Sequence, residues 1–490
     1  MKTWDPSIEL DRAGRVPLPM QLAHALARDI RLGRLRPGQV LPSSRQLARL
    51  LRVHRNTVVA AMDELKAQGW VESVRASHLA VARALPSSTA AAAERRHGAL
   101  GFSLPARRLA SRGFEAAPRR VLDFTGGLPD PRLLPSAVLA RAYRRALRRG
   151  GSGVLGFSDP AGHPRLRAGV ADMLRTRRGL AVDAGDVLIT RGSQLAHHLL
   201  GLALLAPGDG VVVEAPGYPS TREGFAMLGA RLLPVPVDAQ GLDVDALARV
   251  LARERVRAVS VTPLLQDPTT ATLSASRRLQ LLALARRHRV AVLEADYDYE
   301  FQFDGAAVQP LAADDTAGTV VYVGTLTKAL AAGVRLGFVV APRRLRDRML
   351  EARAVVDRQG DAALELAVAE LMEDGELLRH AWRARREFQR RRDTLVAALR
   401  RRLGEIVSFD VPRGGLALWV RAPSVDVDAW ATRALANGVR FFTGRHYQPS
   451  GRPLRALRLG FAHLDVAELE RAVEVMAQTL PRRAHAPSSA

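Results

Sequence analysis

The chain has 490 residues and a formal net charge of +24, with 73 lysines and arginines against 49 aspartates and glutamates. This length is enough for at least two hydrophobic cores, and the positive charge favours a polyanion such as nucleic acid, although an arginine-biased genome would give the same excess. The absence of cysteine excludes disulfides and thiolate metal sites, and no other metal site is predicted. Residues 1–6 lack the apolar core of a signal peptide and no apolar run reaches membrane-spanning length, so a cytoplasmic protein is expected.

Four stretches that differ in composition and apolar pattern follow one another along the chain. Residues 1–83 combine short helical patterns with turn residues, and residues 84–120, rich in Pro, Ser, Ala and Arg, predict a linker. In residues 121–480 strand-like apolar runs alternate with helical segments, which predicts an α/β domain with a mostly parallel sheet. These runs are at 211–213, 258–261, 290–293 and 320–323, and strands at 416–420 and 457–459 indicate a smaller subdomain. Residues 481–490 are expected to be a disordered tail.

Apolar spacing predicts three helices in the first stretch. The first carries one stripe, formed by Leu18, Leu22, Leu26 and Ile30. The second begins with a capping box of Ser43 and Gln46, ahead of the apolar Leu47, Leu50 and Leu51. The third buries Val58, Met62 and Leu65. Segments 70–73 and 79–81 would then form a two-stranded wing.

Polar residues begin the third helix outside its apolar stripe, where a recognition helix carries the side chains that reach base edges or phosphates. A three-helix adaptor with a solvated polar face is the alternative. Segments 41–48 and 55–58 resemble the winged helix-turn-helix of the GntR family of bacterial regulators, which implies a double-stranded DNA operator as partner. The residues assigned to DNA binding are Ser43, Ser44, Arg45, Arg55, Asn56 and Thr57.

Two positions depart from that family's pattern. His54 stands where a serine usually caps the recognition helix, and residues 75–78 read Arg-Ala-Ser-His where the wing tip is usually rich in glycine. The wing contact is therefore the weakest part of the predicted interface.

Lys328 lies in the run Gly-Thr-Leu-Thr-Lys at 324–328, directly after a predicted buried strand. A lysine amine can hold an aldehyde such as pyridoxal 5′-phosphate as an imine. The phosphate would need backbone amides at a helix start, hydroxyl groups and a guanidinium. Alone, each candidate could be an ordinary cap, turn or surface residue; together they are Gly192, Ser193, Gln194, Thr325, Thr327 and Arg335.

We call residues 1–83 the head and residues 121–480 the body. Seven segments of the body occur in the order seen in fold-type I aminotransferases, at 123–130, 158–162, 190–194, 214–219, 296–298, 324–328 and 458–461. Head, linker and body together resemble the MocR/GabR subfamily of GntR regulators over nearly the whole chain. The resemblance implies the fold of pyridoxal-phosphate-dependent transferases, a homodimer with pockets between its subunits, and cofactor bound through Lys328. By similarity, Tyr297 would meet the cofactor's phenolic oxygen, Tyr218 would lie against its ring, and Arg458 would bind the carboxylate of an amino-acid-like effector or substrate.

The predicted pocket also departs from the aminotransferase pattern. Where the family commonly has Glu-Asp-Asp-Tyr-Asp, this chain has Glu-Ala-Asp-Tyr-Asp at 294–298, and Ala295 replaces the acid that keeps the ring nitrogen protonated. Asp296 could compensate only by a one-residue slip of its strand, which would turn it to the opposite face. Phe157 replaces a tyrosine that helps to hold the phosphate of the partner subunit. Segment 264–270 reads Leu-Leu-Gln-Asp-Pro-Thr-Thr in place of Ser-His-Gln-Phe-Pro-Thr-Gly, which puts an acid near the cofactor oxygen.

Three functions fit these patterns. The one we predict is a transcriptional regulator that binds operator DNA through its head and senses the cofactor, or an amine that reacts with it, through its body. The second is a working aminotransferase, against which Ala295 argues. The third is a DNA binder whose body has lost the cofactor and only dimerises.

Overall fold

The computed structural model describes residues 8–14, 16–75, 78–85, 121–304 and 308–481. The chain divides into two compact units, a head and a body, and the division falls inside the stretch predicted as a linker. The linker predicted at 84–120 lies outside the described residues except for residues 84 and 85. The tail predicted at 481–490 lies outside them except for residue 481.

The head is a three-helix unit with a small sheet, built of α1 (Leu18–Arg31), α2 (Ser44–Leu50), α3 (Arg55–Ala67), β1 (Val71–Arg75) and β2 (His78–Val81). The two strands pair antiparallel, and an isolated bridge between Val40 and Ala80 extends the sheet. Most of the apolar residues predicted for these helices are buried, and the three helices and the two-stranded wing are present as predicted. The core includes Leu22, Leu26, Ile30, Leu47, Val58, Met62, Leu65, Val71 and Val81.

The second helix buries only part of its apolar run. Leu50 is 58% exposed, whereas Leu51, which caps the C-terminus of α2, packs against the core. Leu50 is the last residue of this seven-residue helix. The capping box is present as predicted, with Ser43 Oγ accepting from the backbone amide of Gln46 at 3.3 Å.

Strands and helices alternate in much of the described part of the body. Its strands are β3 (Leu122–Asp123), β4 (Val187–Thr190), β5 (Gly210–Ala215), β6 (Arg231–Asp238), β7 (Gly241–Leu242), β8 (Val256–Val261), β9 (Ala291–Asp296), β10 (Val320–Thr325), β11 (Gly337–Val340), β12 (Ala417–Arg421), β13 (Val439–Arg440), β14 (Phe442–Thr443) and β15 (Ala456–Gly460). Its helices are α4 (Ser136–Gly150), α5 (Pro164–Arg178), α6 (Ser193–Leu204), α7 (Pro219–Met227), α8 (Val244–Arg253), α9 (Ala275–His288), α10 (Leu311–Asp314), α11 (Arg343–Val356), α12 (Ala362–Glu373), α13 (Glu376–Leu403), α14 (Val427–Ala436), α15 (Gly444–Tyr447) and α16 (Val466–Gln478). Three of these helices, α11 to α13, follow one another before the smaller subdomain.

The large sheet has the strand order β4-β11-β10-β9-β8-β5-β6-β7. The pairs joining β10, β9, β8, β5 and β6 are parallel, whereas β11 runs antiparallel to both of its neighbours and β7 runs antiparallel to β6. The sheet is therefore mostly parallel, as predicted. Strands of this kind are buried on both faces. In β5, Val211 and Val213 pack into the core beneath α6, while Val212 packs into the core beneath α8 and α9.

The smaller subdomain is built around a three-stranded sheet of order β12-β15-β14. Its antiparallel register places Trp419 and Phe442 on either side of Arg458. Helices α13, α14 and α16 supply much of its core. The short parallel pair of β3 and β13 joins the first strand of the body to this subdomain.

Among the described residues, no helix combines the length and apolarity needed to cross a bilayer. In the same part of the chain, no group of three or more His, Asp or Glu side chains is arranged to hold a metal ion.

Candidate cofactor pocket and nucleic-acid interface

Lys328 is the only lysine beyond residue 66 in a chain that otherwise uses arginine. It follows β10 by three residues, its ammonium donates to the carbonyl of Gly127, and it lies 5.8 Å from the centroid of the Tyr297 ring. Burial lowers the pKa of this amine below its ordinary value, against the opposing charge of Asp298. An amine with a lowered pKa loses its proton more easily and can then form a covalent bond with a carbonyl carbon. A guanidinium stays protonated and cannot form this bond.

The start of α6 lies beside Arg335, as a phosphate site requires. Gly192 caps the helix at φ 83°, and a Cβ on this residue would lie 3.2 Å from the Arg335 guanidinium carbon. The same guanidinium donates to the carbonyl of Arg191 at 3.4 Å and is exposed. Gly337 on β11 completes the cradle, since a Cβ there would meet the carbonyl carbon of Gly192 at 2.8 Å. Backbone amides and a guanidinium thus face one point, which fits a phosphate group.

The two threonines predicted for the phosphate lie next to this cradle. The hydroxyls of Thr325 and Thr327 both donate to the carbonyl of Leu336, at 3.1 and 3.4 Å. The amide of Thr327 in turn donates to Thr325 Oγ1 at 3.1 Å. These bonds fix the turn that ends at Lys328. Ser193 is half-buried in the first turn of α6, and Gln194 beside it is exposed.

Tyr297 and Tyr218 border the pocket from different strands. Tyr297 follows β9, and its hydroxyl donates to the carbonyl of Leu265 at 2.5 Å. Burial raises the pKa of this phenol well above its ordinary value, and the charge of Asp267 adds to the effect, so the phenol keeps its proton. Tyr218 caps the N-terminus of α7 and remains 42% exposed, which leaves its ring accessible to a ligand.

Arg458 on β15 is already paired in this structure. Its Nη2 lies 3.2 Å from Oδ2 of Asp267, and the two side chains are 6% and 8% exposed. Burial opposes the charge of Arg458, but Asp267, Tyr447, Tyr297 and Asp298 together outweigh it, and the pKa of the guanidinium is raised. Gly127 lies against the same guanidinium, since a Cβ there would meet its Nη2 at 2.8 Å.

The strand that carries Ala295 shows no one-residue shift that would bring Asp296 to the face of Ala295. Asp296 accepts a hydrogen bond from the hydroxyl of Tyr322 and lies 3.4 Å from the guanidinium of Arg178. Ala295 lies two residues after Leu293, which packs beneath α6, so these two residues share one face of the sheet and Asp296 lies on the other. Asp296 therefore cannot take the place of the acid that Ala295 replaces.

The loop at 264–270 is held tightly despite its unusual sequence. Thr262 Oγ1 accepts from the amide of Asp267 at 3.1 Å and donates to Glu214 at 2.7 Å. The Gln266 side chain donates to the carbonyl of Pro216 at 2.9 Å. Thr270, where the family has glycine, has φ 61°, a conformation that costs energy for a β-branched residue. These bonds fix the position of the Asp267 carboxylate.

One residue of this pocket, Tyr447, was not predicted from the sequence. Tyr447 is buried near Arg458; burial raises the pKa of its phenol, and the charge of Arg458 opposes this shift. The backbone carbonyl of Tyr447 accepts from Gly217 at 3.0 Å and from Arg222 at 3.1 Å. Nothing in the sequence around Tyr447 marks it, because it reaches the pocket from a short helix of the other subdomain. Gly127 was recognisable only as part of a longer motif.

The predicted recognition surface is formed in the head. Arg45, Arg55 and Asn56 are exposed, and Arg55 Nε lies 3.4 Å from Ser44 Oγ across the turn. His54 caps α3, with its Nδ1 accepting from the amide of Asn56 at 3.2 Å, so the histidine serves where the family uses serine. The tip of the wing, at residues 76 and 77, lies outside the described residues.

Comparison with known proteins gives two family matches. Residues 121–476 match the aminotransferase class I and II family, and residues 19–81 match the gntR family of bacterial regulatory proteins. The chain is 31% identical over 458 residues to the probable rhizopine catabolism regulatory protein MocR of Rhizobium meliloti, covering 93% of this chain and 92% of that protein. It is also 31% identical over 487 residues to the HTH-type transcriptional regulator TauR of Rhodobacter capsulatus, covering 97% and 99%.

A solved structure supports the fold of the body. LysN, an alpha-aminoadipate aminotransferase of Thermus thermophilus in complex with N-(5′-phosphopyridoxyl)-L-leucine, matches with a TM-score of 0.69 and 32% identity, over 74% of this chain and 92% of that one. The half-buried lysine, the helix start beside an arginine and the predicted recognition helix thus occur in a chain that matches both families. The protein belongs to the aminotransferase class I and II family and, through its gntR-type head, to the MocR type of GntR-family transcriptional regulators.

Proposed function

We propose that this regulator binds pyridoxal 5′-phosphate through Lys328 and that the state of this pocket controls how the head binds its operator. The observation that carries the proposal is the body's single lysine, half-buried at the end of the turn that lies next to a glycine-lined helix start. When bound, the cofactor would supply an aldehyde that condenses with amines. The amides of Gly192 and Ser193 and the guanidinium of Arg335 would hold its phosphate, and Tyr297 would donate to its phenolic oxygen.

The chain's own groups prepare the pocket for this role. Burial favours the neutral, nucleophilic form of Lys328. The protonated Tyr297 can move its hydrogen bond from the Leu265 carbonyl to a ligand oxygen. Ring stacking would fall to the accessible Tyr218. An amine that takes the place of Lys328 on the cofactor would free the lysine amine inside the pocket, and this change is the signal we assign to the body.

The proposal includes a homodimer, supported by an exposed apolar patch on the body. Phe157 is 81% exposed and Val355 is 89% exposed. Their segments are joined, because Gln359 accepts from the amide of Ser158 at 2.6 Å and Arg358 lies over the Phe157 ring at 4.8 Å. Apolar side chains this exposed favour a protein partner, and two heads on one dimer would bind paired half-sites.

Regulation is favoured over transamination by the face on which Asp296 lies. With Ala295 at the position of the acid and Asp296 bonded to Tyr322, neither residue can keep a ring nitrogen protonated there. Binding can survive this loss better than catalysis, which needs the protonated ring as an electron sink. Amino acids added to the loaded protein should therefore release little or no keto acid.

The test measures operator affinity with and without the cofactor. An operator is first selected from random duplex DNA and then titrated with the parent and with Lys328→Ala. We expect the cofactor to change the parent's affinity about fivefold or more, a usual size for coupling between sites, and to leave the variant unchanged. A parent that binds the cofactor covalently yet shows the same affinity in both conditions would refute sensing.

A further inference from the structure

The pocket around Lys328 already contains a carboxylate at the place where an effector carboxylate is expected. Asp267 lies 3.2 Å from Arg458, and both side chains are at least nine-tenths buried. The carboxylate belongs to a loop fixed by Thr262 and Gln266. It is thus a built part of the pocket and not a mobile surface acid.

The pocket holds two basic and two acidic side chains without a ligand. Lys328, Arg458, Asp267 and Asp298 all act on one another electrostatically. A ligand carboxylate would have to displace Asp267 from Arg458 or share the guanidinium with it. Either outcome leaves a buried negative charge without full compensation, which is costly in a dry site.

The unpaired atoms of the pocket indicate what it can accept. Within the described part of the chain, Oδ1 of Asp267 and Oδ1 of Asp298 are buried and have no hydrogen-bond partner. Both are acceptors, and a buried acceptor gains most from a ligand that donates. Among the described residues around them, the Nε of Arg458 is an unpaired donor, and it lies next to the carboxylate of Asp267.

We propose that the Asp267 carboxylate fills the carboxylate-binding position at Arg458 and that the effector of this pocket is an amine without a carboxylate. This inference rests on the proposed function, because the amine is taken to react at the cofactor held by Lys328. The ligand would place its amine at Lys328 and any further N–H donors towards Asp267 and Asp298. An amino acid would be excluded by the charge of Asp267.

The first experiment compares ligands that differ only by a carboxylate. The cofactor-loaded full chain is titrated with 1,4-diaminobutane and, separately, with ornithine; propylamine and 2-aminobutyrate form the second pair. The visible absorbance band of the cofactor joined to Lys328 shifts on binding, and this shift gives an apparent affinity. We expect the parent to prefer each amine at least tenfold, and Asp267→Asn to lose or invert the preference. Equal binding of amine and amino acid by the parent, or an unchanged ratio in the variant, would overturn the inference.

A second measurement does not need the cofactor. Thermal unfolding of the unloaded chain is followed with and without propionate, a bare carboxylate. Asp267→Asn should be stabilised by propionate, because Arg458 is released, whereas the parent should not. The double variant Asp267→Asn with Arg458→Gln should lose the effect, and Asp267→Ser replaces Asp267→Asn if the latter fails to fold. Equal stabilisation of the parent would refute the proposed position of the Asp267 carboxylate at Arg458.

The two measurements separate this inference from the proposed function. A parent that forms no visible band with added cofactor would defeat the proposed sensing at Lys328. The propionate result would still decide whether Asp267 occupies Arg458.

Discussion

The functional side chains of the head are exposed to water, whereas those of the body lie in a pocket. On the head, Arg45, Arg55 and Asn56 are exposed to water on a small three-helix core. In the body, Arg458 is buried, and Lys328 lies in a pocket where burial shifts its pKa. Exposed charges act through screened, salt-dependent attraction, while buried groups act through their protonation state. The comparison therefore predicts that DNA binding by the head responds mainly to ionic strength and the body mainly to pH.

The largest expected effect is on the body's covalent chemistry. Lys328→Arg keeps the positive charge but removes the body's only lysine amine, because a guanidinium stays protonated. We expect complete loss of the visible absorbance that remains after cofactor is added and excess is removed. Lys66→Arg, on an exposed part of the head, is the control and should keep the band. A band that survives in Lys328→Arg would remove the chemical contrast between the two units.

The second prediction concerns the pH response of the body. Burial raises the pKa of Glu214 to about 7, although its bonds to Thr262 oppose the shift. In the unfolded chain this carboxyl ionises near its ordinary value, so the folded state holds an extra proton between that pH and 7. The free energy of unfolding should therefore fall as pH rises from about 4.5 to 7 and then level off, with a contribution on the order of 3 kcal/mol.

Glu214→Gln tests this slope because a glutamine does not ionise. Thermal unfolding measured from pH 5 to pH 8 should decline less steeply in the variant than in the parent. The exposed Glu405→Gln of the same unit is the matched control and should leave the slope unchanged. Parallel curves for the parent and Glu214→Gln would show that this buried acid is not a source of pH dependence.

The third prediction concerns the salt response of the head. Arg55→Ala should weaken operator binding by about 1–3 kcal/mol and make the affinity less dependent on salt, because it removes a cation from the start of the recognition helix. Lys66→Ala is the matched control. It lies on the same helix, about 16 Å further along at 1.5 Å per residue, and should change both quantities little. Mobility-shift titrations at several salt concentrations measure the difference, and an unaltered Arg55→Ala would contradict the assignment.

The smallest expected effect is on the phosphate cradle. A Cβ at Gly337 would lie 2.8 Å from the carbonyl carbon of Gly192, so Gly337→Ala must push β11 away from the start of α6. We expect roughly tenfold weaker cofactor binding, equivalent to about 1.4 kcal/mol. Gly333→Ala, where nothing lies within 4 Å of the added atom, is the control and should bind normally. Absorbance titration distinguishes them, and equal affinities would place the phosphate elsewhere.

Much of the fold could be predicted from the sequence because its signals are local. The Ser43 and Gln46 capping box, the stripe of α1 and the valine runs of β5 and β10 depend only on residues near one another in the chain. Order along the chain also predicted Lys328 after its strand and the start of α6 at Ser193. The exposure of Leu50 could not be predicted in this way, because helix periodicity does not tell how wide a face of the helix its neighbours cover.

The sequence by itself determined the two kinds of unit, the elements within them and the amine available for chemistry, since periodicity, caps and residue type are properties of short segments. Only the tertiary structure decided that Arg458 pairs with Asp267, that Asp296 turns towards Arg178 and Tyr322, and that Tyr447 enters the pocket. The reason is physical. The energy of a buried charge depends on which distant groups surround it, and even the Lys328 ammonium and the carbonyl that accepts from it are 201 positions apart in the chain.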